Sequence, residues 1–111
     1  MFIRNIPQAE LKVMKFIWEK NDTVTSKETI EAMGQKYGWK QTTTLTLLSR
    51  LVKKYFLHSE RIKRLTYYKI VVTKKVYLKV ATRRFLEEIH SNSIESLISS
   101  LEDCGTIDKK T

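Results

Sequence analysis

Six side chains in one short run carry the most distinctive chemistry of this chain: Thr42, Thr43 and Thr46, then Arg50, Lys53 and Lys54. All lie in the stretch Trp39–Tyr55, WKQTTTLTLLSRLVKKY, which holds no Asp or Glu. At about 100° per residue these six fall on one side of a helix, with Thr44, Leu47, Leu48, Leu51, Val52 and Tyr55 on the other. Hydroxyls occupy the N-terminal half of the polar side and cations the C-terminal half. Without carboxylates such a face gains nothing from i, i+4 ion pairs and its cations repel one another, so an anionic partner accounts for the pattern. Three consecutive threonines are also poor helix formers. In the major groove of B-DNA, small hydroxyl side chains near a helix N-terminus approach base edges or thymine methyls. Arg50, Lys53 and Lys54, one to two turns further on, are then placed to meet phosphates. Lys40 stands where the helix begins and cannot cap it, so its charge opposes the helix dipole unless a phosphate compensates.

No comparable constellation for catalysis exists. The two histidines, His58 and His90, have no carboxylate or cysteine partner at ligand spacing, and three glycines make no phosphate loop. The single cysteine, Cys104, excludes an internal disulfide and a thiolate-cluster metal site made by one chain. Its neighbours Glu102 and Asp103 disfavour a thiolate. We therefore expect no enzyme activity, no metal and no cofactor.

Composition agrees with an anionic partner. Lys and Arg number 21 against 12 Asp and Glu, a formal net charge of +9. The excess is uneven: residues 1–70 hold 14 basic and 6 acidic side chains, residues 71–111 hold 7 and 6. The first part is the one expected to meet the anion, and the balanced remainder suits protein contact. With 111 residues there is room for one core. No apolar run approaches the roughly 20 residues that span a bilayer, and the N-terminus lacks the apolar segment of a signal peptide. A reducing, cytoplasmic home is expected.

The elements that must position these groups follow in chain order. After a short arm, Met1–Ile6, Pro7 is expected at the first helical position. The helix from Gln8 to about Lys20 turns Leu11, Met14, Ile17 and Trp18 inward, with Val13 and Phe16 widening the stripe. Asn21-Asp22 ends it, and Thr23–Thr25 is extended. Thr25 or Ser26 caps a second helix, Thr25 standing at capping-box spacing from Glu28. That helix runs to about Gln35, burying Ile30, Met33 and Ala32, before Gly34 and Gly38 loosen its end. Two helices joined by a short Gly-containing turn, the second one basic and threonine-rich, form a helix-turn-helix. Beyond Tyr55 the period moves toward two: Phe56–Glu60 and Leu65–Ile70 read as strands joined by the basic connection Arg61–Arg64, a wing. Its Lys63 and Arg64 reach flanking backbone or minor groove.

Thr73 caps a helix from about Lys74 to His90, and Ser93 with Ser96 begins a last one. Tyr77, Leu78, Ala81, Phe85, Leu86, Ile89, Ile94, Leu97, Ile98 and Leu101 give these two helices more apolar surface than a small helix-turn-helix core uses. The surplus is most simply buried on a second copy of the chain, a homodimer. A polar, frayed tail from Asp103 to Thr111 follows. The expected class is α+β, mostly α: a winged-helix DNA-binding domain over residues 1–72, then a helical dimerisation region over 73–111.

The segments Pro7–Trp18 (PQAELKVMKFIW), Trp39–Lys54 (WKQTTTLTLLSRLVKK), Tyr67-Tyr68 and Tyr77-Leu78 resemble the penicillinase repressor family, over roughly residues 5–102. That family includes repressors of β-lactamase and methicillin-resistance genes and copper-responsive repressors. The resemblance implies a homodimeric winged-helix repressor on an inverted-repeat operator of double-stranded DNA, with C-terminal helices intertwined. It matches Thr43 and Thr46 to the family's recognition-helix threonines and Arg50 to its following arginine. Where relatives carry Gly this chain has Tyr55, and its wing tip is Ile62-Lys63. The Asn-Phe bond cut in β-lactam-responsive members corresponds to Ser100-Leu101, and in place of paired Cys-x-Cys motifs there is only Cys104. Neither inducing protease nor inducing metal is implied by these residues. A basic protein-interaction or RNA-binding module without sequence-specific readout is the competing expectation.

Overall fold

A computed structural model describes residues 3–108. The extreme ends of the expected arm and tail, residues 1–2 and 109–111, lie outside the described residues. The elements are α1 (Gln8–Lys20), β1 (Val24–Thr25), α2 (Ser26–Tyr37), α3 (Gln41–Lys53), β2 (Leu57–Ile62), β3 (Leu65–Ile70), α4 (Lys74–His90) and α5 (Ile94–Asp103). They divide into two units, one ending at Val76 and one beginning at Tyr77.

In the first unit α1 buries Val13, Met14, Ile17 and Trp18, as its periodicity requires. Pro7, however, is the residue before the helix rather than its first residue: its extended ψ of 158° places it outside, and its carbonyl accepts the Leu11 N–H at 2.9 Å. Leu11 and Phe16 are only half-buried, and the position facing the core in the first turn is Glu10. Asn21, with φ 54°, closes the helix in the left-handed conformation that Asn tolerates.

The Thr25–Glu28 capping box forms as its spacing requires. Glu28 N–H donates to Thr25 Oγ1 at 3.1 Å, and Thr25 N–H donates to Glu28 Oε1 at 3.0 Å. Gly34 does not loosen α2, which continues to Tyr37. Gly38, at φ 68°, supplies the left-handed residue that ends it, its N–H bonding the Gly34 carbonyl at 2.9 Å. Met33 and Thr29 are the buried positions of this helix, while Ile30 and Ala32 are half-buried.

The three strands form one antiparallel sheet in the order β1-β3-β2. Arg61 and Ile62 belong to β2 rather than to a connection, so the hairpin turn is only Lys63-Arg64. Their φ values of 49° and 71° are the two positive angles of a type I′ turn, whose twist matches that of the flanking strands. Leu57 and Tyr68 bury the sheet face, where β2 lies against α3 and β3 against α2. Trp18 Nε1 donates to the Val72 carbonyl at 2.9 Å, tying the segment after β3 back to α1. Three helices with a β-hairpin following the third constitute a winged helix, so the fold is α+β and mostly helical.

In the second unit, Ser93 caps α5 by accepting the Ser96 N–H at 3.0 Å. α4 begins in the first unit, where Thr73 Oγ1 accepts the Val76 N–H at 3.2 Å. The expected frayed tail is ordered at its beginning: Gly105 at φ 80° lets Thr106 N–H reach the Leu101 carbonyl at 2.9 Å, a Schellman closure of α5.

Candidate nucleic-acid interface

The recognition-helix candidate, α3, is two residues shorter at each end than its periodicity suggests. At the N-terminus, Lys40 is extended and offers no side-chain cap, and the first turn has no acidic residue. The leading N–H groups of a helix have no partner within it, so this end presents uncompensated positive dipole beside a lysine. Thr42, Thr43 and Thr46 are exposed, and together with Leu47 and Arg50 they line one shallow surface depression. Thr46 Oγ1 donates to the Thr42 carbonyl at 2.9 Å. Its proton is thereby committed to the backbone, leaving the oxygen as an acceptor and the methyl free to touch an apolar group. Thr44, the remaining member of the triplet, points inward; its hydroxyl is buried and finds no partner among the described residues. Leu47, Leu48 and Leu51 complete the buried side that fixes the rotation of the helix.

Of the three cations further along, Arg50 and Lys53 are exposed. Lys54 has a different occupation. Its Nζ lies 2.6 Å from Oε1 of Glu10, a carboxylate only 1% exposed, across 44 residues of sequence. The pair joins the first turn of α1 to the end of α3, and the charge that sequence assigns to a phosphate is met by Glu10. The sequence did contain a signal, namely a glutamate in the inward stripe 10, 13, 14, 17, 18. A carboxylate in such a stripe calls for a buried partner.

Tyr55 is not part of the apolar side. It is 71% exposed with φ 63°, and it closes α3 in a Schellman motif. Tyr55 N–H reaches the Val52 carbonyl at 3.0 Å, and Phe56 N–H reaches that of Leu51 at 2.9 Å. Reversing the chain there sends the fully buried Phe56 into the core and starts β2 at Leu57. Lys63 and Arg64 are exposed at the hairpin tip.

Among the ten apolar residues assigned to dimerisation, Tyr77 is already covered within the chain, at 7% exposure. The rest are unspent: Leu78, Phe85, Ile89, Ile94 and Ile98 are exposed, while Ala81, Leu86, Leu97 and Leu101 are half-buried. α5 has no buried residue. Leu78 and Leu86 help line a groove along α4. At the elbow after it, His90 is buried, with its Nδ1 2.8 Å from Ser96 Oγ and its ring edge-on to Phe85.

Contrary to the sequence expectation, the Cys104 thiol is held below its ordinary pKa. Hydrogen bonding to the Thr106 side chain and backbone outweighs the opposing charge of Asp103. No cluster of three or more potential metal ligands occurs among the described residues, and no described helix is long and apolar enough to cross a membrane.

Comparison with known proteins places this geometry in a family. The family model for the penicillinase repressor matches residues 6–110. The penicillinase repressor of Bacillus licheniformis is 30% identical over 99 residues, covering 86% of this chain and 77% of that protein. A 16.5 kDa protein of Latilactobacillus sakei, encoded 3′ of ptsI and uncharacterized, is 29% identical over 102 residues, covering 92% and 69%. Among solved structures, the DNA-binding domain of the repressor BlaI superposes with a TM-score of 0.62 at 33% identity, covering 68% of this chain and 92% of that one. Monomeric BlaI of B. licheniformis in complex with the blaP half-operator gives 0.58 at 32% identity, with the same coverage. The chain belongs to the penicillinase repressor family.

Proposed function

We propose that this protein is a DNA-binding transcriptional repressor that grips an inverted-repeat operator as a homodimer. The observation that carries the reading is the exposed face of α3. Thr42, Thr43, Thr46 and Arg50 converge on one depression that no carboxylate lines. In the major groove this face sets three small hydroxyl side chains against base edges, with Arg50 and Lys53 against phosphates where the helix leaves the groove. Lys40 meets a phosphate at the helix N-terminus, and Lys63 and Arg64 meet the flanking backbone from the hairpin tip. Lys54 holds Glu10 and contributes to position rather than to contact. That a relative has been solved on a half-operator supports duplex DNA as the partner.

Residues 1–72 form the reading domain and residues 73–111 the dimerisation region. The uncovered apolar residues of α4 and α5 pack on their counterparts in a second chain, which makes the contact isologous. A two-fold dimer sets its two recognition helices about 34 Å apart, or a multiple of that, so the operator is a palindrome. The role is non-enzymatic and is exercised in the cytoplasm. The test is binding to an inverted-repeat promoter fragment against random duplex at about 150 mM salt, where nonspecific affinity is weak. Clear preference for the fragment, with dimers in sedimentation at micromolar concentration, is expected. Equal affinity for both duplexes would leave a basic interaction module as the better description.

A further inference from the structure

A second basic cluster lies away from the exposed face of α3, on the groove between α1 and α2. Lys12, Lys15 and Glu19 of α1 line it together with Lys36 and Tyr37 of α2. Two lysines from different helices converge on one ring: the Lys12 ammonium is 4.7 Å and the Lys36 ammonium 5.6 Å from the centre of Tyr37. The ring in turn stacks on Trp39, at 5.1 Å between centroids and 29° between planes. None of the three lysines makes a salt bridge among the described residues, and Glu19 is the one carboxylate lining the groove. Lysine side chains ordinarily diverge into solvent. Through the shared ring these two ammonium groups are at most about 10 Å apart, and an anion in the groove is attracted to both.

The position of the cluster favours one anion. Trp39 directly precedes Lys40, the residue from which α3 starts. From Tyr37 to Lys40 is three residues, at most about 10 Å of chain. The major groove is about 12 Å wide, so with the N-terminal half of α3 inside it, the bordering phosphates fall within that reach. We propose that the Lys12–Lys36–Tyr37 cluster is a second backbone clamp, taking phosphates of the same duplex beside the α3 N-terminus. This rests on the reading that α3 enters the groove. An acidic polypeptide would satisfy the charge but has no reason to be tied to the start of α3. No local pattern announces the cluster, because Lys12 and Lys36 are 24 residues apart and belong to the non-reading faces of two helices.

The experiment is a salt titration of DNA affinity for the full chain, wild type against the Lys12→Gln, Lys36→Gln double variant, on operator and on random duplex. Each lost phosphate contact lowers the slope of log affinity against log salt by about 0.9, so the double variant is expected to lose about 1.8 per protomer, about 3.6 for a bound dimer, on both duplexes. The preference for operator over random duplex is unchanged, and a Lys12→Arg, Lys36→Arg variant restores the slope. Unfolding midpoints of all three proteins check that the fold is intact. A double variant with the wild-type slope on both duplexes overturns the clamp, as does loss of slope that arginine does not restore. If wild type shows no operator preference, the repressor reading fails, while the slope comparison on random duplex still decides the clamp.

Discussion

In the unit that ends at Val76, six apolar side chains are sealed completely from solvent: Val13, Met14, Ile17, Leu48, Leu51 and Phe56. In the unit that begins at Tyr77, none is among the described residues, and Phe85, Ile89, Ile94 and Ile98 stand exposed. Both stretches carry amphipathic helices with apolar residues at the same spacings. The difference is whether a partner for the apolar face exists in the same chain. α3 finds one on α1, α2 and β2, whereas α5 buries nothing. Amphipathicity thus specifies that a face needs covering, and only the fold tells whether the cover is internal. A fully buried aliphatic side chain is worth about 1.5–3 kcal/mol, so the first unit holds together by its own burial while the second has that stabilisation still to gain.

The comparison is broken most directly by truncating one residue in each unit. Leu51→Ala removes a sealed side chain and should cost about 3 kcal/mol in chemical unfolding, whereas Ile89→Ala, measured on dilute monomer, should cost about 0.5 kcal/mol or less. Similar losses at the two sites would show that α4 is packed within the chain after all. Next in size is the assembly itself. Replacing Ile89 and Ile98 together by Asp should raise the dimer dissociation constant about 100-fold in sedimentation equilibrium. Operator affinity should fall with it, while the unfolding free energy of the first unit stays at the wild-type value.

Within the first unit the Glu10–Lys54 pair sharpens the contrast, because it spends a charge on the interior. Glu10→Gln leaves the Lys54 ammonium without its partner and should destabilise the fold by about 2 kcal/mol, read by thermal or urea unfolding. Lys54→Met is expected to leave the salt slope of DNA binding unchanged, and a loss of about 0.9 per protomer in that slope would return Lys54 to the phosphate contacts. The smallest effect has the opposite sign. α3 and α5 end in the same Schellman hydrogen bonds, but α5 uses Gly105 at φ 80° and α3 uses Tyr55 at φ 63°. A left-handed non-glycine residue costs about 1 kcal/mol, so Tyr55→Gly should raise stability by about that amount. Destabilisation instead would mean that the exposed ring has contacts that outweigh its backbone strain.

The capping box at Thr25 and Glu28, the Ser93 cap and the inward stripe of α3 are local patterns with local causes, and their residues declare them. The C-terminal end of α3 and the hairpin turn carry no such local signal, since Tyr55, Lys63 and Arg64 take left-handed angles usually signalled by Gly or Asn. There the tertiary structure overrides local preference: Phe56 must turn inward, and Leu65 must pair with Ile62. The role of Lys54 was illegible in its own helix because its partner lies 44 residues earlier. The threonines differ again. The period of about 100° per residue in α3 alone sets Thr44 inward and Thr42, Thr43 and Thr46 outward, and Thr44 is the one that is buried.

The central claim is that Thr43 and Thr46 read bases while the cations around them hold phosphates. The measurement that tests it most directly is the ratio of operator to random-duplex affinity for the Thr43→Ala, Thr46→Ala variant, taken across a salt titration. Loss of two base-edge contacts should lower that ratio by at least about tenfold, with the salt slope on random duplex unchanged. An unchanged ratio in a folded, dimeric variant would contradict it.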